Sequence, residues 1–314
     1  MESIVADGVE KRYGDVTALC GVSLAIERGE AFGLIGPNGA GKTTLVRTLT
    51  GTTKPTSGTV SVLGSGPQTV DRSRIGLLPQ DFRPPDRLTG RELLRYYAGL
   101  YEESRCVDDV LEAIGMADAA DRRYEDLSGG QQRRVCVGTA LVNDPNVLFL
   151  DEPTTGIDPA GRRTLWNVLA DLADTGTTIL LTTHDMVEAE TLADRVGLLA
   201  NGSLVASGSP EALIAEYGGE SRVEVTVEEA IDPDALGAVD HRVSVRDGRL
   251  LVHDVEPAEI GAVVDALSGA GIDYETLTWT RPSLEDVYLA LADTERAGVG
   301  GPNRGRSLGV AEGR

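Results

Sequence analysis

Residues 36–44 read Gly36-Pro37-Asn38-Gly39-Ala40-Gly41-Lys42-Thr43-Thr44, directly after the unbroken apolar run Ala31 to Ile35. Gly36, Gly41, Lys42 and Thr43 fit G-x-x-x-x-G-K-[ST] in the context that gives the pattern a mechanism, a strand before it and a helix after it. The glycines let backbone N–H groups curl around a phosphate, Lys42 neutralises its charge, and the Thr43 hydroxyl can ligate Mg²⁺. The helix is expected to start near Lys42. A mere tight glycine turn is the alternative reading.

Further along, the apolar residues Val147 to Leu150 lead into Asp151-Glu152. Beside a phosphate loop, Asp151 is placed to hold Mg²⁺ through water and Glu152 to polarise the water that attacks a terminal phosphate. Taken alone, the pair reads equally as a helix cap or as solvated charge. Residues Leu127 to Gln131 read LSGGQ, just before a helix expected to run to about Asn143. Helix N-termini bind anions, and Gly129 and Gly130 permit close backbone approach, although Ser128 also reads as an ordinary N-cap. Gln80, after Gly76-Leu77-Leu78-Pro79, sits where a phosphate sensor would, or is a solvated loop residue. His184, after the strand candidate Thr178 to Thr182, is a second sensor candidate or a satisfied loop histidine. Tyr13 can stack on a base through its π face or be a strand-edge aromatic, and Asp158 in TTGIDP is also a plain turn former.

Composition bounds the rest. At 314 residues the chain has room for one large domain and a small one. Its N-terminus lacks the basic and apolar regions of a secretion signal, and no apolar run approaches the ~18 residues that span a bilayer. A cytoplasmic protein is expected. Cys20, Cys106 and Cys136 suit neither a disulfide framework nor a zinc site and are expected to be reduced packing residues. Fifty acidic against 29 basic residues leave a formal charge of −21, and Lys11, Lys42 and Lys54 are the only lysines. Such a chain repels nucleic acid and anionic lipid, and its excess acid fits a halophilic, salt-rich cytoplasm, or else a mildly acidic enzyme of biased composition.

The N-terminal part alternates short strands and helices in the βαβ rhythm of an α/β domain. A helical insert occupies about residues 84–143, with Thr89 to Glu92 a capping box and Val107, Val110, Leu111 and Ile114 an apolar stripe. Leu165, Val168, Leu169 and Leu172 mark a further helix, Asn201-Gly202 a hairpin turn, and Ser209-Pro210 the start of a helix that stops near Tyr217-Gly218. The first domain is expected to be 1–218. Residues 221–293 then alternate strands and helices in the order of a small α+β, ferredoxin-like split βαβ module, with Ser283 capping a last helix whose Leu284, Val287, Tyr288 and Leu291 face inward. Residues 294–314, glycine-rich and aperiodic from Gly298, are expected to be disordered.

Taken in order, Tyr13, the Gly36 to Thr43 loop, Gln80, LSGGQ, VLFLDEP, Gly156-Ile157-Asp158 and His184 resemble the ABC ATPase family over roughly residues 1–218. The resemblance implies a P-loop NTPase fold binding ATP and Mg²⁺. Tyr13 would stack on adenine; Gln80 would link Mg²⁺ and the lytic water to a membrane subunit; Thr43, Gln80 and Asp151 would be the metal ligands. Ser128 to Gln131 would contact the γ-phosphate held by the opposite copy, Asp158 would belong to the interface, and His184 would sense the γ-phosphate. Gln132-Arg133 and TTGID depart from the commoner family residues, and neither departure is expected to touch the chemistry. The LTGRELL stretch and the C-terminal RPSLEDVYLAL are similar to ATPase subunits of daunorubicin-type drug exporters with a C-terminal accessory domain.

The resemblance therefore implies a transport ATPase: two copies sandwich two ATP molecules as a homodimer and act on separate transmembrane permease subunits at the inner face of the membrane. A soluble relative acting on nucleic acid or ribosomes would need basic surfaces and commonly two ATPase units or long coiled coils. This chain has one unit and an acidic balance, so no nucleic-acid partner is expected. A small-molecule P-loop kinase has no need of LSGGQ.

Overall fold

The computed structural model describes residues 1–227, 241–246 and 248–297. Its centre is a six-stranded sheet of order β5-β6-β7-β3-β8-β9, built from β5 (Ile75–Leu78), β6 (Val147–Asp151), β7 (Thr178–Thr183), β3 (Ala31–Ile35), β8 (Arg195–Ala200) and β9 (Ser203–Gly208). Every residue of β3, β6 and β7 is buried, as expected of parallel strands covered on both faces. The antiparallel edge strand β9 folds back from β8 through the Asn201-Gly202 turn. A second, antiparallel sheet of order β2-β1-β4 comprises β1 (Glu2–Tyr13), β2 (Val16–Glu27) and β4 (Ser57–Val62). Between the two sheets lies α1 (Lys42–Leu49), whose Leu45, Val46 and Leu49 join Ile4, Ile26, Phe32 and Phe149 in one core.

The helical insert holds α2 (Gly90–Ala98), α3 (Val107–Ala113) and α4 (Gly129–Thr139). Both sequence-derived caps are present: Thr89 and Glu92, and Ser128 and Gln131, each form a reciprocal capping box. Val110, Leu111 and Ile114 pack with Leu93, Leu94, Val135 and Leu148, fusing the insert to the central sheet. Beyond it follow α5 (Pro159–Asp174), α6 (Met186–Leu192) and α7 (Pro210–Tyr217). Of the three cysteines only Cys136 is a packing residue, meeting the Tyr124 hydroxyl at 3.3 Å. Cys20 and Cys106 are exposed, because their positions on β2 and before α3 fall on the solvent side.

In the C-terminal segment, β10 (Arg222–Val227), β11 (Val243–Arg246), β12 (Arg249–His253) and β13 (Tyr274–Thr280) form an antiparallel sheet of order β11-β12-β10-β13. With α8 (Ile260–Gly269) packed through Val263 and Leu267, this is the strand order of the expected ferredoxin-like module, whose first crossover lies outside the described residues. The last helix, α9 (Leu284–Ala297), behaves differently from its sequence neighbours. Its Leu284 and Val287 leave the small sheet and pack with Ile35, Ala189, Val196, Leu198 and Leu213 of the first domain. Ser283 directly precedes the helix; its amide and hydroxyl both donate to Asp286 at 2.9 Å, and the Leu284 N–H donates to Glu190 at 2.7 Å. The helix also runs to Ala297, four residues into the stretch 294–314 expected to be irregular; the remainder of that tail lies outside the described residues.

One buried acid stands out in this framework. Glu188 on α6 is 0% exposed; Oε1 accepts from Trp166 Nε1 at 3.2 Å, and Oε2 has no hydrogen-bond partner among the described residues. Burial pushes its carboxyl above the ordinary glutamate range. The folded state then holds this proton more tightly than the unfolded chain, so the contribution of Glu188 to stability falls as pH rises through the raised value. Glu188→Gln removes that slope. Thermal unfolding should show parent and variant alike at acid pH, with the parent falling behind by roughly a few degrees as pH rises above the ordinary glutamate range; a gap independent of pH would contradict a titrating Glu188.

Candidate functional site

Parallel register brings the site together. Ile35 pairs with Thr183, Asp151 with Thr182, and Leu78 with Leu150, so β3, β7, β6 and β5 all end at one level. The glycine loop, His184, Glu152 and Gln80 each leave the sheet from one of those ends, where ligands bind in open α/β sheets. A cleft of about 290 Å³ results, lined by Pro37, Asn38, Gly39, Gly41, Lys42, Thr43, Thr44, Gln80 and Glu152, with Ala18 from the antiparallel sheet.

The loop is held tightly from behind. Gly41 has φ 111°, and a Cβ there would lie 2.6 Å from the Ala18 carbonyl oxygen, so only glycine fits. Gly36 and Ala40 are buried at the loop's base, and Ala40 joins the core beneath α1. Lys42 is 6% exposed and its Nζ donates to the carbonyls of Gly36 at 2.7 Å and Pro37 at 3.2 Å. Burial pulls the ammonium below the usual lysine range, while Glu152 and Asp151 oppose that pull. The lysine therefore spans the loop in the position where an anion would replace two neutral carbonyls.

Across the cleft, Glu152 is 7% exposed and is surrounded by donors. Gln80 Nε2 donates to Oε2 at 3.3 Å, Thr155 Oγ1 donates to the same oxygen at 3.3 Å, and His184 Nδ1 lies 3.4 Å from Oε1. His184 is more than half exposed, so its far edge is open to solvent. The backbone of Glu152 has φ 51°, a left-handed conformation that costs a non-glycine residue on the order of 1 kcal/mol or more. Its N–H donates to both the carbonyl and the hydroxyl of Thr182 at 3.1 Å. Asp151 is 1% exposed, with Oδ1 accepting from the Thr182 hydroxyl at 2.5 Å.

Oxygen donors suited to a hard cation also converge. The Thr43 hydroxyl reaches Gln80 Oε1 at 3.5 Å, and the carboxylate of Asp151 ends the neighbouring strand. Hydroxyl, amide and carboxylate oxygens in small number, leaving room for water and phosphate oxygens, fit Mg²⁺. No cluster of three or more His, Cys, Asp or Glu side chains able to hold a metal by itself occurs among the described residues.

Other candidates stand apart from this cleft. Tyr13 lies at the end of β1 beside a second hollow of about 390 Å³, which it shares with Arg47, Thr50, Gln80 and Asp151; the Lys11 ammonium is 4.9 Å from its ring centre. Ser128, Gly129, Gly130 and Gln131 begin α4 and do not line the cleft of their own chain. Gly130 packs against the turn before α5, where a Cβ would meet Ile157 Cα at 3.3 Å, whereas Gly129 has open space in front of it. Asp158 is the N-cap of α5, accepting from the amides of Ala160 at 3.1 Å and Gly161 at 3.0 Å, which hold its carboxyl below the usual aspartate range.

Arg133, expected to leave the chemistry untouched, meets the main chain of both loops beside the cleft. Its Nη2 donates to the carbonyls of Asp151 at 2.6 Å and Glu152 at 2.7 Å, and its Nε to that of Pro153 at 3.2 Å. Nη1 reaches the carbonyls of Gln80 at 3.4 Å and Pro79 at 3.5 Å. Helical spacing held the clue: Arg133 follows Gly130 by three residues and precedes Val137 by four, and both of those are buried. Thr155, Thr182 and the Arg162 to Asp185 ion pair at 2.6 Å, which ties α5 to the cap of α6, were also missed and carry no motif.

Comparison with known proteins agrees with this geometry. The family model described as "ABC transporter" matches residues 19–155. A daunorubicin resistance ATP-binding protein of Streptomyces coeruleorubidus is 40% identical over 94% of this chain and 97% of its own length. A Nod factor export ATP-binding protein of Rhizobium sp. (strain N33) is 37% identical over 92% of this chain and 96% of its own. Among solved structures, the ATP-binding subunit of an ABC transporter superposes with a TM-score of 0.62 at 27% identity, covering 68% of this chain and 93% of that one. A dimeric cassette in a post-hydrolysis state with ADP and Pi gives 0.59 at 27% identity, covering 66% of this chain and 98% of that one. Likeness that extends along almost the full length of both chains, over a site of this composition, places the chain in the ABC transporter family as one of its ATP-binding, ATP-hydrolysing subunits.

Proposed function

We propose that the protein works as a homodimer that buries two ATP molecules and drives export through separate transmembrane permease subunits, to which it binds at the cytoplasmic face of the membrane. The observation that carries this reading is the half-built cleft: loop, base candidate and sensors converge within one chain, while Ser128 to Gln131 sit outside it with Gly129 facing open space. A two-fold arrangement in which each copy completes the other's cleft uses both halves. Support comes from the dimeric post-hydrolysis cassette and from the export and resistance named for the relatives. Among the described residues no helix is long and apolar enough to cross a membrane, which agrees with a pore supplied by other subunits.

In this reading Gly36 and Pro37 open the loop, and Asn38, Gly39, Ala40, Gly41 and Thr44 wrap the β-phosphate with main-chain N–H groups. Lys42 exchanges its two carbonyl partners for phosphate oxygens, and Tyr13 stacks on adenine. Thr43, Gln80 and Asp151 would hold Mg²⁺, which would supply positive charge to offset that of the phosphates. Glu152 polarises the attacking water, while Gln80 and His184, which already touch its carboxylate, orient that water against the γ-phosphate. Ser128 to Gln131 of the opposite copy close over the γ-phosphate with a helix N-terminus, and Asp158 fixes the turn that packs beneath them. The −21 charge fits a salt-rich cytoplasm that screens self-repulsion.

Three variants separate these roles. Glu152→Gln should keep ATP binding, lose roughly 100-fold or more in turnover and accumulate as an ATP-bound dimer in light scattering; turnover near the parent rate would reassign the base. Lys42→Ala should weaken ATP binding by roughly 10- to 100-fold in nucleotide displacement, since a charge-assisted contact to phosphate is lost; unchanged affinity would count against the loop assignment. Ser128→Arg should leave monomers that bind ATP normally and never dimerise, and a variant that still forms the ATP-bound dimer would remove Ser128 from the seam.

A further inference from the structure

Arg133 is a buried cation with an unusual set of partners. It projects from α4, the helix that begins at Ser128, and ends on five main-chain carbonyls: Asp151, Glu152 and Pro153 after β6, and Pro79 and Gln80 after β5. Among the described residues it forms no ion pair, so its charge is spent wholly on backbone dipoles of the two loops that flank the cleft. Those loops carry the residues whose geometry matters most. Glu152 holds a left-handed backbone, which persists only where its surroundings over-determine it, and the two shortest Arg133 bonds fall on the peptides on either side of its Cα. The planar guanidinium, with five N–H donors in a fixed fork, is the side chain able to serve both loops at once; neither lysine nor glutamine presents that geometry.

We propose that Arg133 is a positioning residue for ATP hydrolysis: from the LSGGQ helix it clamps the main chain of Glu152 and Gln80, fixing the base and the sensor at the distance that in-line attack requires. It touches neither nucleotide nor water. Its effect passes through Glu152, so it shapes turnover and leaves nucleotide affinity alone, because Lys42 and the glycine loop do not contact it. The proposal rests on the reading of Glu152 as the base.

The test is a double-mutant cycle on the full chain, with single-turnover hydrolysis of radiolabelled ATP followed over hours so that slow variants remain measurable. Arg133→Ala should lower kcat by roughly 10- to 100-fold, as expected for misplacement of a catalytic group by about an ångström, with KM and ATP affinity within a few-fold of the parent. Combined with Glu152→Gln, it should lower the residual rate no further. Arg133→Lys, which keeps the charge and loses the fork, should retain the fold, checked by circular dichroism, and show the same kcat-only loss in milder form. If Glu152→Gln alone turns over at the parent rate, the assignment of the base fails and the proposal falls with it. If Glu152→Gln is slow but Arg133→Ala costs the same factor in both backgrounds, or the Arg133 variants raise KM with kcat unchanged, the base stands and the positioning role is overturned.

Discussion

The register of four parallel strands is the constraint on which the site depends. Ile35 opposite Thr183, Asp151 opposite Thr182 and Leu78 opposite Leu150 place the last rungs of β3, β7, β6 and β5 on one line. A slip of one residue in any pair would turn that strand's side chains to the other face of the sheet and carry its functional residue off the line. The slip is resisted by complete burial of β3, β6 and β7, and by Thr182, whose hydroxyl bonds Asp151 while receiving the Glu152 amide. Core packing and site geometry are thus set by the same pairing.

Charge is managed locally within a chain of strongly acidic balance. Lys42 is the lysine that lines the cleft, beside the carboxylates of Asp151 and Glu152, and under the proposed function it meets the phosphate there. Desolvation weakens the ammonium's charged form, and the two acids oppose that pull without cancelling it. Arginine elsewhere does work that lysine does less well. Arg133 spans two loops, and Arg162 pairs with Asp185, which in turn caps α6 through the amides of Val187 and Glu188.

How much of this was legible in the sequence follows from where each residue's partners lie. The glycine loop, the Asp151-Glu152 step and the helix caps at Thr89, Ser128 and Ser209 are local: residue type and spacing over a few positions determine the backbone, so they could be read directly. The central strands were legible because parallel strands buried on both faces are continuous apolar runs. Arg133 was not, because it bonds carbonyl oxygens up to 54 residues away, and a carbonyl leaves no mark on residue type. The same holds for Thr182 and Thr155, which are ordinary residues made functional by the strand end and turn beside them.

The C-terminal helix shows the same limit on a larger scale. Its apolar stripe, Leu284 and Val287 with Tyr288 and Leu291, was readable as an inward face, but a stripe does not name the surface that it covers. The structure gives it to α6 and α7 of the first domain, and Glu190 on α6 accepts the Leu284 amide. The helix α6 starts two residues after His184 and is capped by Asp185, so one short helix has the cleft at its first turn and the accessory segment at its last. Arg222 at the start of β10 binds Asp286 on α9 at 2.8 Å, fastening the small sheet to the same helix. A contiguous set of packed and charged contacts therefore runs from the small sheet through α9 to α6, the helix that follows His184, so the C-terminal segment is joined to the first domain by the buried face of α9 as well as by the chain.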